Sequence, residues 1–380
     1  TRASAGTYVG SDGLIKTATT NEARFDHDPE TGESLGLLIE EQRTNLITNS
    51  ENVAAYFTEQ NATPTANAAS SPDGTTTATL LTPDTTLGSH SSFNASISFL
   101  AATTYSYSVF VKPNGYTFVQ LLFSGGFGNV NAWVNFNLSG AGSIGFSGGG
   151  ELSKQIQAFP GGWYRCTITA TSGSSVSAGG PVYLVLDSDR NSRDASYAGN
   201  NTDGAYLWGA QVEEGAFPTS YIPTTGSTAT RSADVASITG ANFSSWYRQD
   251  EGTIYGDAQT PYAVTKFPII ADGRVSSTDI VQIGFFTEVL SVGYIKAGNV
   301  DQVINYNTGL SGVRRRRVAF GMKADDFSVS TNGGALVSDT SGVMPTNIVD
   351  LYIGSQVGGN FLNGTIRRLV YWDQRLPNEV

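Results

Sequence analysis

Three kinds of side chain in this sequence have the means to do chemistry: carboxylates, rings in turns, and one run of arginines. Glycan cleavage needs two carboxyl groups set across the scissile bond, or a Tyr or His base for elimination. Glu151, Glu213, Glu214, Glu251 and Glu288 are candidate acids, and none stands in a spacing that marks it as catalytic. Asp26-His27-Asp28 has the residue types of a metal site. The plainer reading is a polar turn before Pro29, because no Cys or second His lies near and His90 sits in a separate loop. Asp187, Asp189 and Asn191 share the first offsets of a calcium loop, but Ser192 holds the sixth position and Ala198 the twelfth, where Gly and Glu are needed. No metal site and no cofactor is therefore assigned; a structural calcium elsewhere in the first sandwich stays open but is not placed. There is no G-x-S-x-G and no phosphate-binding glycine loop. The expectation is a protein that is not an enzyme.

Rings in turns point to binding instead. A pyranose stacks its flat face on a ring while its hydroxyls take side-chain hydrogen bonds. Tyr116, Phe127 and Tyr197 fall in turns and are the candidate carbohydrate contacts, with Asn201 beside them as a polar partner. Isolated exposed rings are common, so the site and the bland reading both stand. Trp133, Trp163 and Trp208 fall in strands and read as core. The arginine run is Arg314, Arg315, Arg316 and Arg317; in an extended segment two side chains project to each face. One reading is a grip on a polyanion, which suits the guanidinium fork. The other is a solvated edge that discourages strand pairing, or ion pairs with a neighbouring subunit.

The elements that would hold these residues are strands. The chain has 380 residues, 44 of them Gly, is 39% hydrophobic and only 14% charged. Long apolar periodic runs are few, which means many short strands joined by turns and an all-β fold. Tyr105, Tyr107, Val109 and Val111 alternate with Ser106, Ser108, Phe110 and Lys112, giving one face that packs on a second sheet. A net charge of −11 argues against nucleic acid, which needs a basic face, and no segment reaches the apolar length that spans a membrane. The single cysteine, Cys166, rules out an intramolecular disulfide framework and reads as a small core residue. No signal peptide is visible, so manufacture in a reducing cytoplasm is expected.

Domains divide at Gly204 to Asp234. Tyr206, Trp208, Ala210 and Val212 alternate as a strand, Glu213-Glu214-Gly215 stops it, and Pro218 and Pro223 bracket an extended segment before a small polar linker. Three units follow: an arm at 1–45 without an evident core of its own, a β-sandwich at 46–225, and a second at 226–380. The longer turns of the first sandwich are Gly125 to Asn131, Gly140 to Gly150 and Asp187 to Asp203.

Three stretches carry a resemblance. ARFDHDPETGESLGLLIEEQRTNLITNSE (Ala23 to Glu51), WGAQVEEGAFPTSYIPTTGSTATRSADVASITG (Trp208 to Gly240) and FLNGTIRRLVYWDQRLPNEV (Phe361 to Val380) are similar to segments of tailed-bacteriophage fibre and spike proteins. The first sandwich resembles a jelly-roll carbohydrate-binding module. The ending, with RRVAFGMKADDFSVSTNGG, resembles a concanavalin-A or laminin-G-like domain. The resemblance implies a virion protein made in the host cytoplasm and acting outside it. It would be a homotrimer whose arm touches its neighbours, with a host-surface glycan and other virion proteins as partners. A head fibre, decoration or tail adaptor without a ligand is the alternative, and a glycan depolymerase a further one.

Overall fold

A computed structural model of the chain describes residues 1–56, 58–93, 97–123, 132–178, 182–185, 187–261, 268–287, 290–307, 314–356 and 359–378. Two antiparallel sandwiches account for most of it. In the first, one sheet runs Ser143–Gly148, Trp133–Asn137, Phe118–Leu122, Val182–Val185, His90–Phe93, Thr58–Gln60. The facing sheet runs Ser153–Phe159, Trp163–Thr171, Thr104–Asn114, Gly204–Glu214, Ala78–Pro83, Ala62–Ala69. The alternation read from the sequence has the expected result: Tyr105, Tyr107, Val109 and Val111 meet Val119, Leu121, Val134 and Phe136 in one core. Cys166 is fully buried in it. The stretch Gly140 to Gly150, expected to be a long turn, contains the edge strand Ser143–Gly148, paired to Trp133–Asn137 despite its glycines.

The opposite face of Thr104–Asn114 carries Ser106, Ser108 and Lys112, but its Phe110 anchors a second apolar cluster. Phe110 stacks edge-on against Phe159, Trp208 and Tyr221, and Ile15 of the arm closes this second cluster. So the arm does not lack a core; it borrows two. Its hairpin Gly6–Val9 with Ile15–Ala18 lies on the first sandwich. Its next pair, Phe25–His27 and Ser34–Ile39, joins the second sandwich through Gly364–Trp372, with Leu37 opposite Ile366. Gly36 is required at that junction, since it has φ 100° and a Cβ there would lie 2.2 Å from the Ile366 carbonyl oxygen.

The second sandwich sets Ala236–Thr239, Asp350–Ile353, Ile269–Arg274, Ile280–Thr287, Leu290–Ala297 and Val300–Asn307 against a second sheet. That sheet holds the arm pair, then Gly364–Trp372, Glu251–Gln259, Arg315–Lys323, Asp326–Thr331 and Val337–Asp339. Ile254, Ala258, Ile270, Ile283, Val318, Phe320 and Phe327 fill the space between.

The linker is not loose. Asp234 meets Arg2 at 3.1 Å and also pairs with Arg24, while its backbone N–H donates to the Glu40 carbonyl. Glu40 receives Arg24 at 2.8 Å and Arg231 at 3.5 Å, and Ser220 donates to both of its oxygens. All five charged side chains are at least nine-tenths buried. Burial works against the charge on Glu40, but Arg231 and Arg24 outweigh it and hold its carboxyl down at about 2. This clamp ties the arm, the corner after Gly204–Glu214 and the linker into one joint.

Candidate functional site

Sequence-predicted positions come first. The structure buries Tyr116 and Tyr197, so neither is a carbohydrate platform. Their rings lie 5.8 Å apart, and Tyr197 packs 4.5 Å from the fully buried His90, donating its hydroxyl to the Leu184 carbonyl at 3.0 Å. The cause is the loop, which is pinned inward: Asn135 donates to the carbonyls of Arg190 and Ser192 at 2.7 and 3.0 Å, and Gln120 to Ser192 at 3.1 Å. His90 thus opens a strand rather than sitting in a loop. Asn201 stays exposed at φ 58°, and Phe127 and Glu288 lie outside the described residues.

The arginine run is split as a strand requires, and it is not a four-residue grip. Arg316 is buried with its guanidinium 4.7 Å from the Phe285 ring. Arg315 forms a fork on Asp257 at 2.8 and 2.6 Å, leaving Arg314 and Arg317 exposed. Asp28 closes its own turn, accepting from Glu30, Thr31 N–H and the Thr31 hydroxyl. Glu213 is fully buried, holding Gln211 and Thr219, while Glu151 pairs with Lys154 and Glu251 with Arg248.

A broad concavity among the described residues lies elsewhere, between the two sandwiches. It is a cleft of about 830 Å³, open to solvent. One wall is Ser98 to Tyr105 and Glu214 to Phe217 of the first sandwich. The other is Thr260, Pro268 and Phe361 to Asn363 of the second, and Glu41 to Thr44 forms the floor. The floor is fixed by both neighbours. Asn363 exchanges hydrogen bonds with Glu41 at 2.9 and 3.3 Å, and Arg231 donates to the Glu41 carbonyl at 2.7 Å.

Arg43 organises the cleft. Its guanidinium lies 5.0 Å from the Phe217 ring and 2.5 Å from Glu41 Oε1, with the side chain only 8% exposed. Its Nε is buried and has no hydrogen-bond partner among the described residues. Gly215 leaves the space it needs, for a Cβ there would stand 1.5 Å from Arg43 Nη1. Chemically the cleft offers rings (Phe217, Phe361), amides (Gln42, Asn363) and hydroxyls (Thr103, Thr104).

Comparisons with known proteins add little to this geometry. No protein-family model matches the chain, and no curated protein matches it. Among solved structures, the chain is similar to mouse laminin α1 chain domains LG4–5, at 10% identity and TM-score 0.27, over 88% of this chain and 90% of that one. It is similar as well to the LG1–3 region of the laminin α2 chain, at 10% identity and TM-score 0.26, over 73% of this chain and 62% of that one. Similarity that slight leaves the cleft to be read from its own residues.

Of the cleft residues, only Glu214 was singled out from the sequence as a functional candidate, and as an acid rather than a binding group. A signal was present, however: the three stretches quoted above, 23–51, 208–240 and 361–380, all reach the cleft, through Glu41 to Leu46, Glu214 to Phe217, and Phe361 to Asn363.

Behind Phe217 and Asn363, which line both spaces, lies a smaller chamber of about 140 Å³ with room for several waters. Asp26, His27, Glu40, Gln157, Arg165 and Gln259 face it. Asp26 is half-buried, and its Oδ1 accepts the Val9 N–H at 2.7 Å. Burial pushes its carboxyl up to about 6, the Glu40 charge adding to the rise while the Val9 N–H and Arg24 oppose it. A folded value above the unfolded one means the proton stabilises the fold. That contribution is full below about pH 4 and is lost as pH rises through about 6. Asp26→Asn should therefore flatten the stability profile over this window, by roughly 1–2 kcal/mol relative to the parent chain, in urea melts taken at successive pH values. Parallel profiles would show that Asp26 keeps an ordinary carboxyl.

Proposed function

We propose that this chain is a non-enzymatic adhesin of a bacteriophage fibre or spike, holding a host-surface glycan in the cleft between its two sandwiches. The observation that carries the reading is the cleft itself: about 830 Å³ of rigidly floored space with rings, amides and hydroxyls facing one another. The phage origin, the trimer and the site of action on the virion rest on the sequence resemblance. A single protein–sugar site is worth roughly millimolar affinity, about −4 kcal/mol. Three copies on one fibre raise the avidity by about 10² to 10⁴ where the geometry allows simultaneous contact.

The test is host-envelope polysaccharide mixed with the purified chain, with retained protein and released reducing ends measured in one tube. Retention without release is expected; release would turn attention to Glu41 and Glu214, the two carboxylates of the cleft. Ala216 lines the cleft and is exposed, so Ala216→Trp should fill the space and abolish retention while leaving the melting temperature within a few degrees. Retention by that variant would place the site elsewhere.

One observation favours the structural alternative, a virion part that only packs against its neighbours. Ile144, Phe146 and Leu152 are 40%, 57% and 63% exposed on and beside the edge strand Ser143–Gly148. An apolar edge of this kind suits protein contact more than sugar. Loss of assembly but not of glycan retention in Phe146→Asp would assign that face to the virion.

A further inference from the structure

The charges around the cleft say what kind of glycan it takes, given that the cleft is the glycan site. Its described lining contains two carboxylates, Glu41 and Glu214, and one guanidinium, Arg43. Arg43 is already spoken for: Glu41 sits 2.5 Å from its Nη2, Phe217 covers its flat face and Gly215 its edge. Glu214 is exposed at the wall and has no ion-pair partner among the described residues.

Behind the wall, Arg165 faces the smaller chamber rather than the cleft, and its guanidinium donates to the Ser108 hydroxyl at 3.0 Å and the Thr219 carbonyl at 2.8 Å. Arg2, Arg24 and Arg231 are buried and matched by Glu40 and Asp234, with Glu213 close enough to act on Arg231. Arg315 and Arg316 are committed to Asp257 and the Phe285 ring, and no residue of the arginine run lines the cleft. The chain as a whole carries −11. Among the described lining residues, a polymer with a carboxylate, sulfate or phosphate on each repeat would meet one unpaired negative wall and no positive group beyond the paired Arg43, and the penalty grows in a recess that excludes water.

The remaining polar lining is uncharged: Gln42, Thr44, Thr103, Thr104, Thr260 and Asn363. These side chains donate and accept in the way sugar hydroxyls and acetamido groups do.

We infer that the cleft selects an uncharged glycan, hydroxyl- or acetamido-bearing, and rejects polyanionic ones. The full chain is applied to a glycan array carrying neutral, amine-bearing, sialylated, uronic-acid and phosphorylated glycans, in low and in physiological salt. Neutral glycans should hold the chain about tenfold more tightly than acidic counterparts of the same backbone in low salt, with the gap narrowing as salt screens the wall. Glu214→Gln should shrink that neutral-to-acidic preference severalfold. Preferential binding of acidic or of amine-bearing glycans would overturn the charge rule and leave the adhesin reading standing. So would a preference that Glu214→Gln leaves untouched. Binding to no glycan, by a chain that melts cooperatively, would remove the adhesin reading and this inference together.

Discussion

Asp234→Ala is expected to destabilise the chain by about 3–5 kcal/mol, read as a fall in the urea midpoint at unchanged slope. The size follows from what is left behind. Arg2 and Arg24 both lose a carboxylate partner while remaining almost fully buried, and Glu40 alone must answer the remaining guanidinium groups. The backbone N–H of Glu40, which donates to Asp234 at 3.0 Å, loses its acceptor as well. Asp234→Asn separates the two causes, because an amide oxygen still accepts from that N–H while the charge is gone. Glu40 resists acid: with its carboxyl held near 2, its share of the stability is present above the unfolded value of 4.5 and is lost only as pH falls through about 2. The joint should therefore survive mild acid in the parent chain. A midpoint shift worth under about 1 kcal/mol would mean the clamp specifies geometry without adding stability.

The second large effect is expected at Gly215. Gly215→Ala sets a methyl group 1.5 Å from Arg43 Nη1 on a residue whose φ of 142° side chains rarely adopt. Both faults act together, so a loss of at least about 2 kcal/mol is expected. The route of relief matters more than the sum. Arg43 is the mobile partner, and moving it breaks its contacts with Phe217 and Glu41, so glycan retention should fall further than stability explains. Calorimetric melting beside retention on host polysaccharide decides it. Retention unchanged per folded molecule would show that the seat of Arg43 is not part of the site.

Much of the strand framework was legible because its signal is local. Tyr105 to Lys112 and the alternating run Tyr206 to Val212 fall inside the strands Thr104–Asn114 and Gly204–Glu214. Glu213 was read as a corner residue and serves as one. What failed was everything set by partners far along the chain. The segment after Thr224 looked featureless because its structure comes from Arg2, Arg24 and Glu40. Tyr116 and Tyr197 looked like surface rings because a turn in sequence does not reveal that Asn135 and Gln120 draw the loop inward. The cleft drew on five short segments, no two of which signal it alone.

The strand Ser34–Ile39 has a consequence for how the molecule is made. It is synthesised well before its pairing partner, Gly364–Trp372, and the bond from Glu41 to Asn363 spans 322 residues. Until Gly364–Trp372 leaves the ribosome, the arm has an unpaired edge and the second sheet has a gap. Contacts of such span slow folding and leave exposed edges available to neighbouring chains. Nascent copies held side by side would meet one another in that interval. The long interval between the two strands thus offers a window for exchanging arms between copies, and pairing of Gly364–Trp372 with Ser34–Ile39 shuts it.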